Sequence, residues 1–354
     1  MGRQRSRTVT LTDVARLAGV SVATASKALN ARDEVAPETR QRVLEAAEEL
    51  SFQPNVLARG LLTGRTRTIG LLTDELAHRF SIPILLGVEN TLANGQMSVL
   101  LCDARGDAIR RQHYIRTLIA RQVDGFVVLG DSNDLRPSLT RQIPVPVVYV
   151  YGESDDPRDL SVLADDEHGA RLATEHLVSL GRRQIAHITG PQSYRAARDR
   201  VASLRKVLAS AGLPLVGGDP LYGEWSQRWG RNATRMLLST HPEIDAISCG
   251  NDQIAAGAAG AVREMGRRVP DDVSIVGYDN WHEFAADCQP PLTTVDLNLQ
   301  QIGETAVRHL FAALDGQPTS GVVRQPCRLV VRDSTGPRLP HVRDRSSPQV
   351  AGTT

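Results

Sequence analysis

The chain has 354 residues, a formal net charge of +1, 41% hydrophobic side chains and four cysteines. That length supports two or three domains, each able to bury a core. No apolar run reaches the roughly 20 residues needed to cross a bilayer, the basic start is not followed by a cleavable apolar segment, and Cys102, Cys249, Cys288 and Cys327 form no CxxC pair. The expectation is a reduced, cytoplasmic protein with no membrane span, no disulfide or zinc framework and no cofactor.

Divided, the charge is more telling than in sum. Residues 1–68 hold 11 Arg and Lys against 7 Asp and Glu, a net +4, and the remainder holds 30 against 33. A basic head on a slightly acidic body suits a polyanionic partner, although short terminal pieces also vary in charge by chance. The cationic side chains are nearly all arginine, with Lys27 and Lys206 the exceptions.

Three helices are predicted in the first 50 residues. Leu11, Val14, Ala15 and Ala18 share one face at i, i+3, i+4, i+7 spacing. Ser21 is a good N-cap for a second helix, Val22 to Leu29, with Asn30 as its stop. Pro37 suits the first turn of a third, running to Leu50. The next stretch, FQPNVLARGLLTGRTRT, is interrupted by Pro54, Gly60 and Gly64 and is too short to hold a helix alone in water.

From Thr68 the texture changes to short apolar runs alternating with helical patterns. Strands are predicted at 69–72, 98–101, 125–129, 147–150, 185–189, 246–249, 273–278 and 292–295. Helices are predicted at Glu167–Leu180, Asp199–Ala211 and Gln253–Met265. This alternation implies two doubly wound parallel sheets, in blocks of roughly 68–155 and 160–320 with a link near Leu160. A cleft between two such lobes is where a small ligand would bind. The resulting division is 1–53 head, 54–67 linker, 68–336 two-lobed core and 337–354 a polar, disordered tail without a leucine heptad.

The two opening helices are joined by a few residues centred on Gly19, which can take φ > 0 without steric cost. Ala15 lies where the second helix must pass closely, and Val14, Ala18, Val20 and Ala28 would fill the space beneath. That is the spacing of a helix-turn-helix whose second helix enters the major groove. Its small side chains suit a groove about 12 Å wide. Ser21, Thr24, Ser26, Lys27 and Asn30 can serve phosphates while Val22 and Ala23 reach base edges. A plain helical hairpin with a glycine turn would share the pattern.

TLTDVARLAGVSVATASKALN, with the linker and the later DEHGARLATEHLVSLGRRQIAHITG, GNDQIAAGA, VPDDVSIVGYDN and PPLTTV, resembles the lac repressor family of bacterial transcription regulators in order and spacing over residues 9–333. The resemblance implies an all-α helix-turn-helix head and a periplasmic-binding-protein-like α/β core. It implies a homodimer on a near-palindromic double-stranded DNA operator, with an effector, sugar-like in many relatives, in the cleft. Thr10, Leu11, Ser21, Val22, Ala23, Thr24, Ser26, Lys27 and Asn30 match head positions that face DNA. Asn55, Ala58 and Leu61 match a hinge that becomes helical on the operator, with Leu61 as a wedge between base pairs of the minor groove; Leu57 and Leu61 at i, i+4 would equally suit packing on the core. Ala25 and Ala36 depart from the family pattern, a branched residue and a hydroxyl cap being usual there.

In the cleft the resemblance implies that Phe80, Tyr151, Arg200, Trp225, Asn251, Gln253 and Asp279 contact the effector, with Trp225 as the flat plate. On its own, Trp225 would serve equally as core and Asp279 as a helix cap. Tyr151 and Ala164 replace an acidic and an aromatic residue of some relatives, which points away from a simple hexose. Trp281 and His282 are further candidates for the cleft. Asp165, Asp166 and Glu167 read as the acidic opening of a helix, favoured by its dipole, rather than a metal site. His113, His168, His176 and His187 have no ligand spacing. Two rival classes fit less well. A transport solute-binding protein would leave the head unexplained, and a nucleotide-dependent enzyme would need the GxGxxG or Walker lysine that this chain lacks.

Overall fold

A computed structural model describes residues 9–29, 34–52, 65–94 and 97–336. Asn30, Asn55, Leu57, Ala58, Leu61 and the tail lie outside these residues. The chain divides into two units, 1–67 and 68–354.

In the first unit, α1 (Leu11–Leu17), α2 (Val22–Leu29) and α3 (Pro37–Glu49) enclose a core made mostly of alanine. Val14, Ala15, Ala18, Ala25 and Ala28 are buried with Val43, Ala46 and Ala47, and Leu11 and Val20 pack at its edge. Small side chains let three short helices approach closely, and Gly19 turns the chain at φ 66°. Ala36 precedes α3 without offering a side-chain cap.

The described residues of the second unit form fourteen strands. They are β1 (Thr68–Thr73), β2 (Ser98–Asp103), β3 (Gly125–Leu129), β4 (Leu135–Arg136), β5 (Val147–Val150), β6 (Glu153–Ser154) and β7 (Leu160–Ala164), followed by β8 (Ile185–Thr189), β9 (Leu221–Tyr222), β10 (Ala246–Cys249), β11 (Ser274–Tyr278), β12 (Thr293–Asp296), β13 (Gly321–Gln325) and β14 (Arg328–Val330). One sheet has the order β13-β7-β5-β3-β1-β2 and is parallel throughout. The other has the order β14-β12-β11-β10-β8-β9 and is parallel except for β14. The helices are α4 (Ser81–Asn94), α5 (Ala108–Ala120), α6 (Asp166–Ser179), α7 (Arg195–Ser210), α8 (Gln227–Thr240), α9 (Asp252–Glu264), the short α10 (His282–Ala285) and α11 (Leu299–Leu314).

The expected link near Leu160 is corrected. Leu160–Ala164 is β7, buried at every position and paired between β5 and β13. The expected blocks are also wrong at their far end, because α11 and β13 belong to the first lobe. Gly303 of α11 meets α4 so closely that a Cβ there would lie 2.2 Å from the Ile84 carbonyl oxygen. The chain therefore passes between lobes after Ala164, after Leu297 and after Gln325. A strand buried on both faces shows no alternation, which is why LSVLA read as a link.

Candidate functional site: the cleft between the lobes and the head

In open parallel sheets a ligand meets the loops that leave the carboxyl ends of the strands. Here those loops converge. Glu75 to Phe80 follow β1, Asp131 to Asp134 follow β3 and Tyr151 follows β5; from the other lobe come Ser193 and Tyr194 after β8, Trp225 after β9 and Asp279 after β11. Together with Ala196 and Arg200 of α7 they line a cavity of about 440 Å³. Five of the predicted effector residues, Phe80, Tyr151, Arg200, Trp225 and Asp279, are thus brought together.

Asn251 and Gln253 are not in this lining. Asn251 is fully buried, and its Oδ1 accepts from the Ile254 amide at 2.8 Å as the N-cap of α9. The same GNDQ segment supplies a residue that sequence reasoning passed over. Asp252 Oδ2 accepts from the Trp281 amide at 2.7 Å, and Oδ1 from the Thr294 hydroxyl at 2.6 Å. It thereby fixes the turn that presents Asp279. Burial raises the Asp252 carboxyl to about 8, the charge of Asp279 adding to the effect.

Arg200 is held from behind. Its side chain is only 5% exposed; Nε donates to Asp166 Oδ1 at 2.7 Å and Nη1 to the Gly250 carbonyl at 2.5 Å. The guanidinium lies 3.7 Å from the Tyr278 ring centroid, and Nη2 stands 3.8 Å from Asp279 Oδ1. Burial, the largest single effect, would lower the Arg200 pKa, but Asp166, Tyr278, Asp279 and Tyr151 together outweigh it and the net direction is upward. Asp166 also accepts from Asn133 Nδ2, on the first lobe, at 2.8 Å. As part of an acidic helix opening it was expected only to favour the dipole. Asp165 performs the capping, accepting from the His168 amide at 2.9 Å, and this leaves Asp166 free to turn inward.

Asp279 leaves β11 at φ 99°, a conformation that turns its side chain out of the sheet. It caps no helix: Trp281 occupies the position before α10, without a side-chain cap. Asp279 Oδ2 pairs with Arg79 of the opposite lobe, and Oδ1 is buried without a hydrogen-bond partner. Arg79 is stacked between Phe80, 4.2 Å from the centroid, and Trp281, at 4.9 Å. Trp281 and His282 lie outside the lining. Trp225 lies on Gly190, where a Cβ would come within 2.1 Å of its ring, so only glycine admits this placement. The amino end of α7 is capped from the first lobe: Asp134 accepts from the Arg195 amide at 2.8 Å and Asn133 from the Ala196 amide at 3.1 Å. Arg195 Nη1 reaches Glu153 at 2.5 Å.

On the head, Ser21 Oγ accepts from the Thr24 amide at 3.0 Å, as expected of an N-cap. Val22, 44% exposed, stands on the open side of α2 with Ala23 and Lys27; Thr24 and Ser26 are half-buried, and Lys27 pairs with Glu34. Thr10 donates through its amide (3.0 Å) and hydroxyl (2.6 Å) to Asp13, and Leu11 faces the core.

Residues 10–55 match the bacterial regulatory proteins of the lacI family, and residues 66–332 match the periplasmic binding proteins and sugar binding domain of LacI family. The chain belongs to the lacI family of bacterial regulatory proteins. As a lacI-family regulator it is 34% identical to the HTH-type transcriptional repressor PurR of Aliivibrio fischeri (strain MJ11), over 93% of this chain and 99% of that protein. It is 33% identical to the ribose operon repressor of Halalkalibacterium halodurans, over 92% and 97%. Among solved structures it resembles the lac repressor dimer bound to operator and the anti-inducer ONPF, with TM-score 0.73, 31% identity and coverage of 93% and 99%. A complex of the regulator CelR with cellobiose matches with TM-score 0.63, 31% identity and coverage of 92% and 99%. This lacI-family protein is a DNA-binding transcriptional repressor and not an enzyme. Among the described residues no helix is long and apolar enough to cross a membrane.

Proposed function

We propose that this repressor acts as a homodimer on a near-palindromic operator and answers to a sugar or sugar-like effector held between its lobes. The observation that carries the reading is the convergence of loops from both sheets on one polar cavity, where Arg200 lies 5.9 Å from the Trp225 ring centroid and Asp279 shares the lining. A pyranose has a polar rim and an apolar face, and such a lining serves both. The lobes are also joined by side chains at this place, through Arg79 with Asp279 and through Asn133 and Asp134 with α7. An effector there competes for those groups and so changes how the lobes sit. Binding at the cleft would bias formation of the paired hinge segments, with Leu61 wedged into the minor groove. The coupling is reciprocal and of order 1–3 kcal/mol. Dimerisation is supported by apolar side chains left open on α4, Ile82 at 49% and Leu86 at 52% exposure.

The test joins two measurements. A thermal-shift screen of sugars identifies an effector, and operator binding is then followed by fluorescence anisotropy with and without it. In Asp279→Ala the effector response should fall at least about tenfold, the loss of one charge-assisted hydrogen bond. A variant that responds as the parent does removes the assignment of the cleft.

A further inference from the structure

The polar groups around the cavity are unequally engaged. The strong donors are largely committed within the protein: Arg200 to Asp166 and Gly250, Arg79 to Asp279, and the α7 amides to Asn133 and Asp134. Arg79 Nε is buried without a hydrogen-bond partner, and Arg200 Nη2 stands 3.8 Å from Asp279 Oδ1. The acceptors are more open. Asp279, with a side chain 2% exposed, aims an unpartnered Oδ1 at the cavity. The His78 ring has a buried, unpartnered Nδ1, an acceptor when the proton is on Nε2, and its pKa is lowered by burial and then by the charge of Arg79. Glu75 and Asp131 stand exposed at the mouth, close enough to His78 for both charges to act on it.

The charge follows the same pattern. Of the four carboxylates in the lining, Asp279 is paired with Arg79 and Arg200, and Asp134 with Arg198 and the α7 amide of Arg195, whereas Glu75 and Asp131 pair with no cation among the described residues; the charge of Arg200 is further matched by Asp166. An anionic ligand would meet the uncompensated carboxylates of Glu75 and Asp131 at the mouth and leave these acceptors without donors. Like-charge contact in such a site is a strong ground for exclusion.

We propose that the effector is a cationic, polyhydroxylated molecule of the amino-sugar class, its ammonium set between Glu75 and Asp131 and its hydroxyls on Asp279, with the ring over Trp225. An ammonium supplies three donors and no acceptor, the complement of what this mouth leaves open. This rests on the cleft being the effector site and goes beyond it in fixing the sign of the ligand's charge.

The experiment is calorimetric titration of the full-length repressor with matched probes: glucosamine and glucose, galactosamine and galactose, mannosamine and mannose, and the 6-phosphate of each hexose. At least one hexosamine should bind about tenfold or more tightly than its parent hexose, a difference of about 1.4 kcal/mol. That preference should shrink as salt rises from about 50 to about 500 mM, because the charges at the mouth are open to screening. It should disappear in the Glu75→Gln, Asp131→Asn double variant, while the phosphates should not bind. A hexose or a phosphate that binds as well as its amine, or a salt-independent preference, overturns the amino-sugar proposal and leaves the cleft reading standing. Failure of all three hexosamines to bind also overturns it, and the Asp279→Ala response then decides the cleft reading separately.

Discussion

The head and the cleft place function in the chain in opposite ways. The head's open face comes from one continuous segment, Ser21 to Lys27, over a core of alanines whose spacing is regular. The cleft is assembled from the ends of strands spread from β1 to β11, and its chemistry depends on pairs far apart in sequence, such as Arg200 with Asp166 and Arg79 with Asp279. A continuous face can be altered with local consequences. A site made of distant pairs is altered only together with the packing that holds them.

The largest expected effect tests that distinction at Arg200. In Arg200→Ala the Asp166 carboxylate stays buried without its cation, which costs about 3–5 kcal/mol. Chemical denaturation of the repressor should show this loss in the core transition. A double variant, Arg200→Met with Asp166→Leu, should regain most of the stability, since an apolar pair of similar volume can replace a buried ion pair, yet it should no longer respond to effector. A single variant as stable as the parent would mean that the pair is not a unit.

Ala15→Leu probes the head in the same terms. Ala15 is 2% exposed beside α2, and added methylenes there force the helices apart at a cost of about 1–3 kcal/mol. Operator affinity should fall while effector binding to the core remains at the parental level. Effector affinity that changed with it would break the contrast between a local face and a distributed site.

The same contrast explains what the sequence made legible. Amphipathic spacing with Ser21, Gly19 and Pro37 placed the three head helices within a residue or so, and the apolar runs located eight of the strands. Strand β7 escaped because burial on both faces removes the period-two signal, and with it went the knowledge that the chain crosses back to complete the first lobe. In the cleft, Phe80, Tyr151, Arg200, Trp225 and Asp279 were reached through motif order. Asp166 and Asp252 were not, because an Asp beside an N-cap looks the same in sequence whether it faces solvent or turns inward. Asn251 was misplaced for the converse reason: its position at a strand end suits a ligand, but its amide oxygen is taken by the first turn of α9.

Asp252 offers the finest test of this point, through pH. Its folded-state carboxyl is raised to about 8 from an ordinary value of 3.8, so the folded protein holds this proton where the unfolded chain has released it. The contribution to stability is therefore complete below the unfolded value and is lost as pH rises between the two, with a slope of at most about 1.4 kcal/mol per pH unit. Asp252→Asn keeps the shape of the protonated acid, an oxygen to accept and an N–H to donate, and cannot titrate. The variant should match the parent in stability near pH 4 and below and exceed it at pH 7, the difference in unfolding free energy growing as pH rises across the range 4–8. Because Asp252 holds the amide of Trp281 and not the ligand, the same substitution should leave the cleft able to bind. Parallel pH profiles for parent and variant would show that Asp252 is ionised throughout, and would place the control of the Asp279 turn elsewhere.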